Sequence, residues 1–376
     1  MKNIFKTKDE RLLPTRTPLF LAFFIFLIFL HPLKASTFEF KGFADVTFNY
    51  TDNKQDTTDR NTNGAFSLGH LDLYLSHSLN DRIDVLGEIL IEGEDNGEFE
   101  IDLERLQISY YFRDEFIVRA GRFHNVLGYW NTAYHHGSLL YTTIDRPSFL
   151  QFDDQGGVLP THLIGLWLTG RLSRNQGTLE YSVMAGNGPK IKNAGTTGSL
   201  DPNSVSDNNK NKALSFHLEI LPSKIEGLGI GISGNFSEIQ FFDIDGNRIL
   251  VGGANQVIQE ILSADLEYSA KNIELIAEGY QIRDHGSGAS HFINYAWYIQ
   301  GGYKFLERVT PYVRHERFTI HEEDPYFLAL GKQDKKITVA GIRFDIMAFS
   351  ALKAEVRLVD STDHYEEYAV QWAFAF

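Results

Sequence analysis

The sequence has 376 residues, no cysteine and a formal net charge of −14. Without cysteine, neither a disulfide scaffold nor a cysteine-ligated metal site can be built. So acidic a chain also lacks the positive field with which a protein meets a polyanion, which excludes a basic nucleic-acid binder.

Residues 1 to 16 carry Lys2, Lys6, Lys8, Arg11 and Arg16 against Asp9 and Glu10, and an unbroken apolar run follows from Leu19 to Leu30. At about 1.5 Å per residue that run covers roughly 18 Å, well short of the ~30 Å that a spanning helix must match. It therefore reads as the core of an export signal rather than an anchor helix, with cleavage expected between Ala35 and Ser36 although Leu33 makes the cleavage box imperfect. Removing 1–35 leaves 29 Lys/Arg against 47 Asp/Glu, a mature chain at −18 with no cysteine near its start to carry a lipid.

From Thr37 onward the apolar period is two. Phe38, Phe40, Gly42, Ala44, Val46, Phe48 and Tyr50 fall on one face, and Glu39, Lys41, Asp45, Thr47 and Asn49 on the other. That pattern specifies a strand with one oily and one wet side. Similar runs predict strands at 66–79, 83–92, 103–112, 116–123, 162–172, 178–186, 212–221, 228–236, 258–269, 273–283, 294–305, 309–318, 336–345, 351–359 and 367–376, sixteen with the first. The links alternate in length. Short ones such as Asn80–Arg82, Arg113–Glu115 and Ala270–Asn272 follow even strands, and longer polar ones (51–65, 93–102, 124–161, 187–211, 237–257, 284–293, 319–335, 360–366) mostly follow odd strands. A soluble sandwich has no reason to sort its loops in this way; an outer-membrane barrel has short periplasmic turns and long external loops.

Aromatic residues fit interfacial girdles. Phe38, Phe40, Tyr110, Phe112, Phe116, Tyr303, Phe305, Phe374 and Phe376 fall at expected periplasmic ends, and Phe48, Tyr50, Phe236, Tyr295 and Trp297 at external ends. In hydrocarbon every backbone polar group needs an internal partner, so strands span only as a closed cylinder. The fold class is thus an all-β, transmembrane antiparallel β-barrel of sixteen strands over residues 36–376. At two places the pattern is irregular: Pro311 lacks a ladder donor, which favours a bulge or a later strand start, and 337–340 is apolar on both faces, leaving its register open.

The terminal run Tyr368, Val370, Trp372, Phe374, Phe376, the segment RAGRFHNVLGYWN at 119–131 and PYVRHE at 311–316 together resemble the sixteen-stranded Gram-negative outer-membrane porins. The resemblance implies that the terminal run is the signal read by the barrel-assembly machinery. It implies that the loop after the fifth strand, 124–161, folds inward as the constriction. It alone implies a homotrimer. Phosphate-selective members carry dense Arg and Lys in the lumen, and this chain departs from that pattern.

A sixteen-stranded cylinder is too wide for its side chains to fill. The wet face offers fourteen acids (Glu39, Asp45, Asp72, Asp84, Glu88, Glu92, Glu180, Glu219, Asp265, Glu267, Glu274, Glu278, Glu316, Glu355) against seven bases (Lys41, Arg105, Arg119, Arg171, Arg314, Lys353, Arg357), which predicts a weak cation preference. The candidate constriction comprises Arg105, Arg119 and Arg122 on one side, Arg314, Glu316 and Arg357 on another, and Asp145, Asp153, Asp154, His135 and His136 from the loop. Opposed charges there would orient dipolar solutes; alternatively the loop acids pair with Arg146 or strand arginines and pin the loop. The two adjacent histidines point apart if extended and make a poor metal pair. The loop aromatics Tyr129, Trp130, Tyr134, Tyr141, Phe149 and Phe152 serve either as a sugar-stacking track or as packing against the wall.

Gly229, Gly231 and Gly234 match a phosphate-loop spacing but lie in a strand with no helix after it. DIDGN at 243–247 lacks the Gly and Glu positions of a calcium loop. His136-Gly137-Ser138 suggests a hydrolase but offers no orienting third group. The reading is a non-enzymatic diffusion channel for small hydrophilic solutes, without cofactor or metal, in contact with outer-membrane lipid and lipopolysaccharide and not with nucleic acid. A substrate-specific channel for a sugar, organic acid or phosphate is the alternative, and an outer-membrane hydrolase the remote one.

Overall fold

The computed structural model describes residues 38–52, 64–93, 99–134, 137–151, 156–195, 198–201, 211–286 and 291–376. The expected export signal, His135, His136, Phe152, Asp153 and Asp154 lie outside them.

The strands are β1 (Phe38–Asp52), β2 (Ala65–Asn80), β3 (Ile83–Gly93), β4 (Phe99–Arg113), β5 (Phe116–His124), β6 (His162–Arg174), β7 (Gly177–Asn187), β8 (Lys190–Lys192), β9 (Ser199–Asp201), β10 (Ala213–Pro222), β11 (Leu228–Gln240), β12 (Gln256–Ala270), β13 (Ile273–His285), β14 (His291–Tyr303), β15 (Val309–Thr319), β16 (Lys335–Met347), β17 (Ser350–Asp360) and β18 (His364–Ala375). All but β8 and β9 form one closed antiparallel barrel of sixteen strands in sequence order, with β7 next to β10 and β18 closing on β1. Closure removes the sheet edge that hydrocarbon would not tolerate. The final residue takes part: Phe376 and Gly42 exchange backbone bonds of 2.9 and 3.0 Å. The Phe376 ring also occupies the space a Cβ on Gly42 would need.

Alternation sorts the faces as expected. On β18, Tyr368, Val370 and Trp372 are exposed, as is Phe376 just past it, while Ala369, Gln371 and Ala373 are buried. The outer surface continues through Leu68, Leu106, Leu166, Leu214, Ile220, Ile232, Leu262, Ile299, Val313, Ile342 and Leu358, all exposed. An apolar belt of that extent belongs in hydrocarbon, not in water.

Pro311 does not break its strand. Val309 exchanges both backbone bonds with Phe305, at 2.6 and 3.0 Å, so Pro311, two residues on, faces the same neighbour. The ladder to β14 ends at Tyr312 opposite Gly302, and Pro311 pairs with Ile342 on its other side without a register shift. On β16, Ile337 and Val339 point inward and pack with Tyr312 and Val359, which settles that register.

Three expectations from strict alternation need correction. The stretch 187–211 is not all loop, since β8 and β9 pair there as a small hairpin. Residues 319–335 contain a helix, α2 (Pro325–Leu330), and 124–161 contains α1 (Tyr129–Ala133). The α2 signal is local: Asp324 caps the N-terminus by accepting from Tyr326 N at 2.9 Å, Pro325 starts the helix, and Gly331 at φ 63° ends it. Burial pushes the Asp324 carboxyl above its ordinary range, opposed by its bonds from Asn294 and Tyr326. Finally, the β3–β4 ladder slips between Glu88/Arg105 and Ile89/Leu103, leaving Glu104 as an extra, buried residue.

Candidate functional site

The segment 125–161 leaves the wall at His124 and returns at His162, and those two residues pair across the neck. Between them it crosses the interior and bonds to strands far away in the barrel order. Near its start, Glu278 on β13 accepts from Trp130 N at 2.8 Å and Tyr129 N at 3.2 Å, and also from the hydroxyls of Tyr298 (2.5 Å) and Tyr280. Farther on, Asp72 accepts from Gly137 N at 3.1 Å and Asp45 from Ser138 Oγ at 3.0 Å. Glu355 then accepts from Ile144 N at 2.6 Å and Glu316 from Ser148 N at 2.5 Å. Wall carboxylates thus satisfy backbone donors that have no ladder of their own.

Wall cations do the same for the carbonyls. Lys353 Nζ donates to Ser138 O and to Thr143 O (2.7 Å). Arg343 donates to Leu139 O and Tyr141 O, both at 2.8 Å. Arg314, fully buried, reaches Thr143 Oγ1 (3.2 Å), Asp145 O (2.7 Å), Arg146 O (3.3 Å) and Glu316 (3.4 Å). Arg357 pairs with Asp145 at 2.5 Å and with Glu355 at 2.8 Å.

The structure therefore brings together Asp145, Arg314, Glu316 and Arg357 of the expected constriction residues, as direct contacts rather than as charges facing each other across open space. Arg105 and Arg119 lie elsewhere. Arg105 is ion-paired with Glu88, and the Arg119 guanidinium sits 4.2 Å from the Trp167 ring centroid. Arg122 is apart from both groups, buried, with Nε donating to Glu104 O at 3.0 Å. Arg343 and Glu104 were absent from the expected set: the ambiguous register of β16 hid the first and the extra residue in β4 the second.

The segment's aromatics pack inward. Trp130 and Phe149 are buried, with Trp130 5.3 Å from Tyr141 and 5.9 Å from Tyr298, and Phe149 5.6 Å from Tyr280. They join Ile261, Ile276, Ile282 and Phe318 of the wall and Tyr326 and Phe327 of α2 in one apolar cluster. This arrangement overturns the stacking-track alternative for Trp130 and Phe149. Many wet-face positions are likewise buried rather than bathed: Asp45, Asp72, Glu88, Glu92, Asp265, Glu278, Glu316 and Glu355 among the acids, Arg314 and Lys353 among the bases. Ser138, the residue behind the hydrolase reading, is buried and bonded to Asp45.

Space remains on both flanks. A cavity of about 460 Å³ is lined by Asp145, Arg146, Ser148, Arg314, Glu316, Lys332, Asp334, Lys335, Arg357 and Glu367. Burial, reinforced by Lys335, holds the Lys332 ammonium below its ordinary range. A second cavity, of about 220 Å³, is lined by Arg105, Arg119, His124, Trp167, Glu180, His217 and Glu219. Two of the apparent phosphate-loop glycines belong to this inner wall, since a side chain on Gly231 would meet Asp265 and His217 and one on Gly229 would meet Glu219, whereas one on Gly234 would meet Phe216 on the outer face.

No family model and no curated protein sequence matches the chain. Solved structures do. It is similar to an anion-selective porin from Comamonas acidovorans (11% identity, 91% of this chain and 100% of that one, TM-score 0.62). It is similar also to OmpT, an outer membrane protein of Vibrio cholerae solved in trimer form (11%, 91% and 100%, TM-score 0.57), and to the outer membrane channel DcaP of Acinetobacter baumannii (10%, 91% and 97%, TM-score 0.58). At these identities the likeness is one of architecture, and the architecture is that of the sixteen-stranded outer-membrane porins.

Proposed function

We propose that the chain is an outer-membrane channel through which small hydrophilic solutes and ions diffuse passively, past a constriction made by residues 125–134, 137–151 and 156–161 against the wall. The observation that carries this reading is the closed barrel with an apolar exterior and a charged interior, crossed by a clamped segment that leaves cavities of about 460 and 220 Å³ beside it. A packed core would have no use for so many charges, whereas an aqueous route has. The excess of acids on the inner face, with Glu219, Glu267 and Glu274 among them, supports a weak preference for cations. Export by residues 1–35, insertion by the barrel-assembly machinery reading the terminal Phe376, contact with lipopolysaccharide and assembly as a homotrimer complete the reading. Purified protein in planar bilayers is expected to give single-channel steps grouped in threes and a reversal potential of cation sign; a clear anion preference refutes the inner-face reading.

The basic side chains around the larger cavity, Arg146, Arg314, Lys332, Lys335 and Arg357, favour a second reading, a channel with a preference for a small organic acid. Liposome swelling separates the two. A general channel ranks solutes by size alone, and a selective one passes the acid out of size order and saturates.

A further inference from the structure

The neck of the crossing segment contains a cluster that the channel reading does not use. His124 ends β5, His162 begins β6, and Glu104 is the extra residue that the irregular ladder inserts into β4. All three are buried, and one ligand atom from each lies within 4.8 Å of the others. His162 Nε2 is 2.5 Å from Glu104 Oε2. Its other ring nitrogen, Nδ1, is 3.2 Å from Thr161 Oγ1. With an ion on Nε2, Nδ1 would keep its proton and donate it to the Thr161 hydroxyl, the kind of outer partner that metal-binding histidines take. The two imidazoles stand 5.5 Å apart between ring centroids, tilted by 68°. Glu88 supplies a further oxygen, 3.4 Å from His124 Nε2.

We infer that Glu104, His124 and His162 form a binding site for a divalent transition-metal ion of the zinc type, which ties β4 to both roots of the crossing segment. Two imidazole nitrogens and a carboxylate oxygen are the donor set such an ion takes, at about 2.0–2.2 Å per bond. Drawing atoms that already lie within 4.8 Å of one another onto one ion requires shifts of about an ångström or less. Hard cations such as magnesium or calcium prefer all-oxygen shells and are disfavoured here. Access is available from the lumen, because His124 lines the 220 Å³ cavity. The ion would add two positive charges beside Glu88 and Arg105 and cross-link the neck at the pair His124 and His162.

The test uses full-length mature protein, folded in detergent and stripped with chelator. Zinc chloride titrated against a chromophoric chelator is expected to show one saturable site per chain, and zinc to raise the temperature at which the folded form converts on heating, since a ligand bound only by the folded state stabilises it. His124→Ala, His162→Ala and Glu104→Gln should each weaken binding by about tenfold or more, and the double histidine variant should abolish it. Alanine at His285 and His291, or at His135 and His136, should leave it unchanged. Absence of saturable binding overturns the proposal, as does binding that survives in the double variant or disappears with either control pair. Should the double variant fail to fold, X-ray absorption on the zinc-loaded wild type decides: two imidazole shells support the site, and a shell without imidazole overturns it.

Discussion

Two walls of this barrel carry the same kinds of side chain and use them differently. On β15–β17, Arg314, Arg343, Lys353 and Arg357 are committed to the carbonyls and the Asp145 carboxylate of the crossing segment. On β4–β6, Arg105 contacts Glu88 and the Tyr74 ring, Arg119 contacts Tyr111 and the Trp167 ring, all of them wall residues, and both face a cavity. The difference follows from where the segment goes. It leaves the barrel between β5 and β6 and lies against the far side, so the far side supplies its hydrogen-bond partners and the near side is left to line space. A charge on the inner face of a barrel is therefore not by itself a charge on the permeation route.

The largest expected effect is at Arg314. Replacing it with alanine removes its bonds to Thr143, Asp145 and Arg146 and leaves Glu316 buried without its cation, a change worth about 3–5 kcal/mol. We expect a lower heat-conversion temperature and a larger, noisier single-channel conductance as the segment loosens. An Arg314→Ala channel as quiet as the wild type would show that the far wall does not hold the segment. Next comes the outer face: Leu218→Arg, at the middle of β10 and exposed, should cost about 2–4 kcal/mol in refolding equilibria, whereas His217→Arg on the inner face should cost far less. Equal costs would mean that the faces have been assigned wrongly. Glu278→Gln is isosteric but swaps an acceptor for a donor opposite Trp130 N–H and two tyrosine hydroxyls, for about 1–3 kcal/mol. Loss of tryptophan fluorescence anisotropy on moderate heating would report it.

How much of this was readable beforehand depends on the periodicity of each part. The sixteen barrel strands are legible because period two persists for nine to sixteen residues at a time, and the paired faces fix the register. Pro311 looked like an interruption only because the ladder's end at Tyr312 is a property of its neighbour, not of its own sequence. Glu104 was illegible for a related reason: one inserted residue reverses the parity of everything beyond it, and nothing in FEIDLERLQ marks the insertion point. The helix α2 carried its signals, Asp324-Pro325 and Gly331, inside a stretch read as polar loop. The candidate site was half legible. Arg314, Glu316, Arg357 and Asp145 were placed in one constriction and do meet. That they meet by contact, and that Arg105 and Arg119 stand apart, depends on the path of the crossing segment, which no local pattern encodes.

The smallest expected effect in stability is the sharpest for the comparison. Arg119→Ala forfeits a cation–aromatic contact with Trp167 worth about 0.5–2 kcal/mol and a hydrogen bond with Tyr111, both within the wall, and no bond to the crossing segment, so heat conversion should move little. It removes one of two guanidinium groups from a cavity that also holds Glu180 and Glu219, which makes the local field more negative. The reversal potential across a salt gradient should shift toward cations while the conductance stays within about twofold, because field lines focused in a narrow low-dielectric passage act on the sign of the ion more than on the bore. If instead Arg119→Ala changes the conductance as strongly as Arg314→Ala and leaves selectivity untouched, the near wall carries the segment as well, and the division of labour between the two walls fails.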